Sequence, residues 1–373
     1  MKILIINPIC TRNGATFMLL YFLQWLKENH PNIRIDVLSI RSGELETDFD
    51  KVTENHYKAY KKRSFFQKLF RFILRNFGLI KLYSNALYDY ELRNISKKNY
   101  DIIYNNTILD MSISKELKRY SQKSKLILHV HELQNMILEK SPNADQYFPH
   151  VDHFICASKA VENNLINNWH VTNSTVIYEM SNINKLKSSR ILESRIIIGG
   201  AGGVTKRKGV DLFIETASHI LKSNSVLDIQ FQWLGNISKE DLDYYQQMLK
   251  KLKIDKSFKF LGEKADTSGF FKSISVFLMT SREDPFPLVC IEAGSNGIPI
   301  LLFDRTTGTQ EVVEDLEYLR APQFDTDSLA NKTISLLKNK ELYAETSKLM
   351  NDRFSEFNVE NQSRKIYKLL MFL

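Results

Sequence analysis

Two stretches of the chain share one layout, and that repetition constrains the fold more than any other feature. Residues 2–26, KILIINPICTRNGATFMLLYFLQWL, read as an apolar strand, a loop holding Gly14 and then apolar residues at helical spacing. Residues 195–221, RIIIGGAGGVTKRKGVDLFIETASHIL, repeat the sequence of strand, glycine-rich loop and helical pattern. Each opens a βα unit. Further strand candidates alternate with helical patterns at residues 35–38, 101–104, 126–130 and 153–157, and again at 228–234, 258–261, 276–280 and 299–303. Alternation of this kind predicts parallel sheets covered by helices on both faces. The chain therefore reads as α/β, with two Rossmann-like doubly wound domains, and 373 residues are enough for two cores of ordinary size. The polar stretch 181–194 is the expected joint, dividing a first domain at 1–185 from a second at 190–355. Residues 356–373 form a terminal helix, with Ile366, Leu369, Leu370 and Leu373 on an apolar face able to dock back on the first domain. Ligands of such sheets bind at the carboxyl ends of the strands, where the loops of Gly14 and Gly203 project. Two domains facing each other across a cleft would supply the concave site.

Composition narrows the class. The chain is 43% apolar and 25% charged, as expected of a soluble globular protein. No run approaches the ~18–20 apolar residues that a membrane span needs. MKILIINPI stops at Pro8 without a leader-cleavage pattern and reads as a first strand. Cys10, Cys156 and Cys290 are few and far apart, which suggests reduced thiols and a cytoplasmic location. The net charge of +8 is uneven. Lys58, Lys61, Lys62, Arg63, Lys68, Arg71, Arg75 and Lys81 fall in a stretch without an acid, among Phe66, Leu69, Phe70, Ile73, Phe77 and Ile80 at helical spacing. A basic amphipathic helix of this kind can lie on an anionic membrane surface, or pack on its own domain with a solvated basic back. Nucleic acid is not expected as a partner, because no binding motif accompanies the charge.

The chemistry concentrates in SREDPFPLVCIEAGSNGIPI, residues 281–300. Asp284 and Phe286 precede prolines and so avoid the helical region, while Pro287 is suited to start a helix running through 288–293. The free N–H groups of that first turn face the loop holding Glu283 and Asp284. A helix N-terminus at the end of a strand is an anion site, with phosphate its usual occupant. Glu292 shares a helix face with Leu288 and Ser295, where a carboxylate is costly unless hydrogen-bonded, and a sugar diol offers two donors at once. Taken alone, the stretch also admits a plainer reading, with Glu283 and Asp284 as solvated caps and Glu292 partly exposed. The second glycine-rich loop, residues 199–209, shifts the balance. It lacks the spacing of a dinucleotide fold and the ending of a P-loop, but carries Lys206, Arg207 and Lys208 at the front of a helix. Fixed cations there suit a diphosphate leaving group that gathers negative charge in the transition state.

On these residues the chain resembles the family 4 glycosyltransferases of the GT-B fold. The pair of acids separated by seven residues is Asp284 and Glu292, and the loop Glu-Asp-Pro-Phe-Pro is that of a subgroup of the family. Lys208-Gly209 matches the family's phosphate loop, whereas the arginine usual five residues earlier falls on Gly203; Arg207 is the cation available to take its place. Asn13-Gly14-Ala15, Tyr104-Asn105-Asn106-Thr107, His129-Val130-His131-Glu132, Cys156-Ala157-Ser158 and Gly308-Thr309-Gln310-Glu311 resemble further family positions, while Tyr178-Glu179-Met180 departs from the usual Tyr-Asn-Gly.

The resemblance implies retaining transfer of a sugar from a nucleotide diphosphate donor, UDP- or GDP-linked, with no metal or other cofactor required. The acceptor is then a hydroxyl of a glycan or lipid-linked molecule, in bacterial cell-surface polysaccharide synthesis at the inner membrane face, with peripheral contact through 58–81. It implies that the second domain holds the donor and the first the acceptor. Carried over residue by residue, Glu292 holds the ribose hydroxyls, and Asp284, with Glu283 beside it, the hydroxyls of the donor sugar. Arg207, Lys208 and the main chain of Phe286, Pro287, Leu288 and Val289 receive the diphosphate, with the loops of Gly14 and Gly203 on the donor path. Asn106, His131 and Glu132 stand on the acceptor side, His131 nearest the reacting sugar. Two other classes stay open. A non-catalytic glycosyltransferase-like binding subunit would explain Gly203, and a metal-dependent hydrolase would use His129 and His131 with the His150-Val151-Asp152-His153 fragment.

Overall fold

A computed structural model describes residues 1–59, 89–182, 195–223 and 227–373. It divides into two units. Unit 1 comprises Met1–Ala157, Val161–Ile177 and Ser363–Leu373, and unit 2 Ser158–Ala160 and Tyr178–Gln362.

Among the described residues, unit 1 is built on seven strands: β1 (Lys2–Ile9), β2 (Arg34–Arg41), β3 (Asn55–Lys58), β4 (Ile102–Asn105), β5 (Lys125–Val130), β6 (His153–Cys156) and β7 (Ser174–Val176). They lie side by side in the order β3-β2-β1-β4-β5-β6-β7, every pair parallel. The central strands are apolar on both sides because helices cover both faces; all four residues of β4 are buried. Ile6 of β1 stands opposite Asn105 of β4, and Asn105 opposite Leu128 of β5. That register brings the loops that follow these three strands out next to one another. The helix Gly14–Asn29 buries Met18, Leu19, Phe22, Leu23 and Leu26, with the Phe22 ring against Tyr104. Residues 363–373 complete the unit: the Tyr367 ring stacks on His30 with centroids 3.7 Å apart and meets Trp25 at 6.0 Å.

Unit 2 has six strands among its described residues: β8 (Ile196–Ala201), β9 (Ile229–Leu234), β10 (Phe258–Phe260), β11 (Val276–Met279), β12 (Ile300–Phe303) and β13 (Arg320–Ala321). Their order is β10-β9-β8-β11-β12-β13, again all parallel. Strand order reverses at β8, which makes the carboxyl ends of β8 and β11 the switch point at which ligands of such sheets bind. Close approach at β8 depends on glycine, since a Cβ on Gly200 would lie 2.6 Å from the Trp233 ring. Both units are therefore Rossmann-like, and the α/β expectation holds.

Three strands were not anticipated: β3, β7 and β13. The division also falls earlier than residue 190. Tyr178 belongs with unit 2 because its ring packs on Phe286 at 4.9 Å and Phe357 at 5.3 Å. Ser158–Ala160 joins unit 2 because the Glu311 carboxylate accepts the amides of Lys159 (3.0 Å) and Ala160 (2.8 Å). The expected linker from residue 183 and the basic stretch from residue 60 lie outside the described residues. Lys58 is described, in β3 rather than a helix, with its ammonium 2.5 Å from Glu46 and 3.3 Å from Asp50.

Candidate functional site

In unit 2 the loops after β8 and β11 are stitched together. The loop after β8 turns at Thr205, whose side chain caps the short 3-10 turn Lys206–Lys208, and leaves through Gly209 at φ 68°. No side chain fits at Gly209, because a Cβ would come within 1.9 Å of the Thr280 carbonyl. Thr280 Oγ1 donates to the Gly209 carbonyl at 2.9 Å. Arg282 contributes most of the stitching. Its guanidinium donates to both oxygens of Asp211 (2.8 and 2.6 Å) and to the Lys206 carbonyl (2.7 Å), while its amide donates to the Arg207 carbonyl (2.7 Å). This bidentate pair holds the Asp211 carboxyl below its ordinary value against the opposing effect of burial.

The cations and the first acid meet at the end of this seam. Lys208 Nζ lies 2.5 Å and Arg207 3.5 Å from the same Asp284 oxygen, and Arg207 also donates to the Glu283 carbonyl at 2.8 Å. Asp284 is only 5% exposed. Its amide donates to the Thr306 carbonyl (2.9 Å), and Gly308 donates back to the carbonyls of Asp284 (3.2 Å) and Pro285 (3.0 Å). The structure thus brings Arg207, Lys208, Glu283 and Asp284 together.

The remaining donor-side residues follow at once. Phe286 is buried and its ring packs on Tyr178 and Phe357, so its main chain alone can face a ligand. Pro287 does not occupy the first helical position; at φ −70° and ψ 131° it is the extended cap, and the helix is Leu288–Ser295. The difference is one residue, and the amides of Leu288 and Val289 still have no acceptor within the helix. Glu292 stands on the second turn, between Ser181 Oγ (3.4 Å) and Thr267 Oγ1 (3.5 Å). Burial pushes its carboxyl up to about 7 against the pull of those two hydroxyls. Gly203 is open: a Cβ added there would meet nothing within 4 Å.

In unit 1, Asn13 caps the helix that Gly14 begins, its Oδ1 accepting the Thr16 amide at 3.0 Å. Asn106 donates to the Ala15 carbonyl (3.0 Å), and its Oδ1 lies 3.3 Å from His131 Nε2. Glu132 accepts from the Thr107 hydroxyl and from the amides of Ile108 (3.4 Å) and His131 (3.0 Å). Burial raises its carboxyl, with the His131 charge and those donors opposing. Asn106, His131 and Glu132 therefore form one cluster at the carboxyl ends of β4 and β5, and Gly14 reaches it through its neighbour Ala15. The hydrolase fragment is otherwise employed: His153 pairs with Thr175 Oγ1 (2.9 Å), and Asp152 with Lys118 (2.7 Å) and the Leu126 amide (2.7 Å).

Sequence reasoning missed Arg282, Thr280 and the hydroxyls of Ser181 and Thr267. Arg282 stands inside the quoted stretch, but a cation beside two acids reads as solvated, and its partners lie 71 and 76 residues away.

Comparison with known proteins bears on the fold and on unit 2. Residues 182–350 match the family described as glycosyl transferases group 1. Among curated relatives, an uncharacterized glycosyltransferase of Haemophilus influenzae is 24% identical over 196 residues, 52% of each chain. The O-antigen biosynthesis glycosyltransferase WclY of Escherichia coli is 30% identical over 162 residues, 43% of this chain and 41% of that one. UDP-Gal:alpha-D-GlcNAc-diphosphoundecaprenol alpha-1,3-galactosyltransferase of E. coli is 26% identical over 169 residues, 45% of this chain and 43% of that one. The matches span from 41% to 52% of the length of these relatives. Over the whole chain the fold is shared with Anabaena Alr3699/HepE, solved in complex with UDP, at a TM-score of 0.80, 18% identity and full coverage of both chains. The lipopolysaccharide outer core galactosyltransferase WaaB superposes at a TM-score of 0.75 with 13% identity, over 100% of this chain and 99% of that one. The fold is the one shared by these glycosyltransferases, and residues 182–350 are similar to the group 1 glycosyl transferases.

Proposed function

We propose that this protein is a retaining family 4 glycosyltransferase, moving a sugar from a UDP- or GDP-linked donor to a hydroxyl of a glycan or lipid-linked acceptor in cell-surface polysaccharide synthesis. The observation that carries the reading is the seam of unit 2, which sets Arg207 and Lys208 beside Asp284 and just ahead of the helix Leu288–Ser295. The names of relatives that include O-antigen biosynthesis and a UDP-galactose donor support it, as does a neighbour solved with UDP and glucose.

In this reading Glu292 accepts the two ribose hydroxyls, and Asp284, with Glu283, those of the donor sugar. Arg207, Lys208 and the amides of Leu288 and Val289 take the diphosphate, stabilising charge as the bond from the anomeric carbon to phosphate breaks. The acceptor oxygen bonds the same face of that carbon, and its proton leaves with the departing phosphate. His131, Asn106 and Glu132 orient the acceptor. No metal is assigned a role.

Thermal-shift screening against nucleoside diphosphates tests the donor assignment, because a ligand selective for the folded state raises its melting temperature. We expect UDP or GDP to stabilise the protein where the free nucleoside does not; no shift from any nucleoside diphosphate would sink the reading. Gly203→Arg places the family's usual guanidinium in open space and should tighten nucleoside diphosphate binding about tenfold, the scale of one charge-assisted contact. An unaltered affinity would show that position 203 does not face the phosphates. The vacancy at Gly203 also favours one second reading, a subunit that binds the nucleotide sugar without turning it over. Donor hydrolysis without acceptor separates the two, since a silent subunit releases no sugar.

Peripheral membrane contact through 58–81 belongs to the same proposal. The purified protein should co-sediment with vesicles containing anionic lipid, and replacing Lys61, Lys62, Arg63 and Lys68 by glutamine should release it. A wild-type protein that stays in the supernatant removes this element.

A further inference from the structure

His129 and His131 stand two residues apart where β5 ends, and the period of a strand puts both side chains on one side of the sheet. Their ring centroids are 4.1 Å apart, at 32°. His129 is 1% exposed, whereas His131 is half-buried. Tyr104 of β4, fully buried, brings its hydroxyl to 2.5 Å from His129 Nδ1. The other ring nitrogen of His129, Nε2, is also buried, and no hydrogen-bond partner reaches it among the described residues. A buried polar nitrogen in that state lowers stability. The imidazole meets the buried Tyr104 hydroxyl with one nitrogen and leaves the other without a partner among the described residues, which calls for an explanation beyond packing.

Resting on the acceptor-side assignment of His131, we propose that Tyr104 and His129 are positioning residues for His131. The Tyr104 hydroxyl fixes the plane of the His129 ring, and that ring in turn supports the His131 imidazole while Asn106 Oδ1 holds its Nε2 at 3.3 Å. Burial, with the neighbouring His131 charge second, keeps His129 uncharged far below the ordinary imidazole range. A proton carried by the pair therefore resides on His131. Glu132 faces the same group, accepting the His131 amide, and its own carboxyl is raised by burial.

The test uses the full chain, with Tyr104→Phe, His129→Leu and the hydrogen-bonding His129→Gln. Transfer kinetics would be read beside an NMR titration of the His131 imidazole. Tyr104→Phe and His129→Leu should lower kcat about tenfold, the cost of a modest misplacement, with donor KM within about twofold. Both should move the His131 titration and the acid limb of the kcat profile together, and His129→Gln should restore most of the loss. An unmoved titration with full kcat overturns the proposal, as does a loss that only follows the melting temperature. Full transfer in His131→Ala overturns the acceptor assignment and this role with it. Inactive His131→Ala with fully active Tyr104 and His129 variants overturns the positioning role alone.

Discussion

Replacing Arg207 and Lys208 together by glutamate should lower kcat/KM for sugar transfer by about three orders of magnitude or more, given that one lost donor to a developing oxyanion costs ~10²–10³. The two cations share one oxygen of Asp284, at 3.5 and 2.5 Å, in a site where that carboxylate is almost wholly shielded from water. Two new carboxylates would face Asp284 and repel both it and an arriving diphosphate. Because such a reversal strains the seam itself, Lys208→Met is the companion variant. It removes one charge and adds none, and it should still cost about 10²-fold while its circular dichroism matches the wild type. Full transfer in both variants would place the phosphate contacts elsewhere.

Glu292→Gln should move stability and donor affinity in opposite directions. The Glu292 carboxyl titrates at about 7 in the fold against 4.5 ordinarily. A group harder to ionise when folded holds its proton longer in the folded state, so stability falls as pH rises from 4.5 through 7. The gap corresponds to roughly 3 kcal/mol lost to the free protein above pH 7 relative to acid conditions. Glutamine, an uncharged near-isostere, avoids that loss. The variant should melt higher than wild type at pH 8, with the advantage gone by pH 4.5. Nucleoside diphosphate binding should weaken about tenfold or more, because hydroxyls donate more strongly to a carboxylate than to an amide. Equal melting temperatures at pH 8 would show that burial does not strain this carboxylate, and unchanged affinity would remove the ribose role.

The interior strands were legible because parallel sheets bury both faces, leaving short apolar runs such as LILHV in β5 and VFLM in β11. The strands that were missed sit at sheet edges, β3 and β7 in one unit and β13 in the other. NHYK, STV and RA are too short or too polar to announce themselves, as edge strands usually are. At the site, the residues with an unusual local pattern were found: paired acids around prolines, cations after glycines and a His-x-His strand end. Arg282 was not, because its role consists of partners that only the fold brings near. Thr267 and Ser181 escaped for the same reason, since neither hydroxyl stands out until Glu292 is placed between them. Pro287 was off by one position because proline is compatible with both the cap and the first turn, and sequence does not separate them.

The discontinuity of unit 1 bears on the order in which the protein can fold during synthesis. Domains commonly fold from the amino end as they emerge, yet this one includes Ser363–Leu373, translated after all of unit 2. Until those residues appear, the surface formed by Trp25 and His30 lacks the Tyr367 ring that covers it. The amino-terminal sheet can pair its strands early, but its last packing step waits on a segment made after residue 362. A fragment stopping at Ile177 would consequently be an unfinished body rather than a free-standing domain.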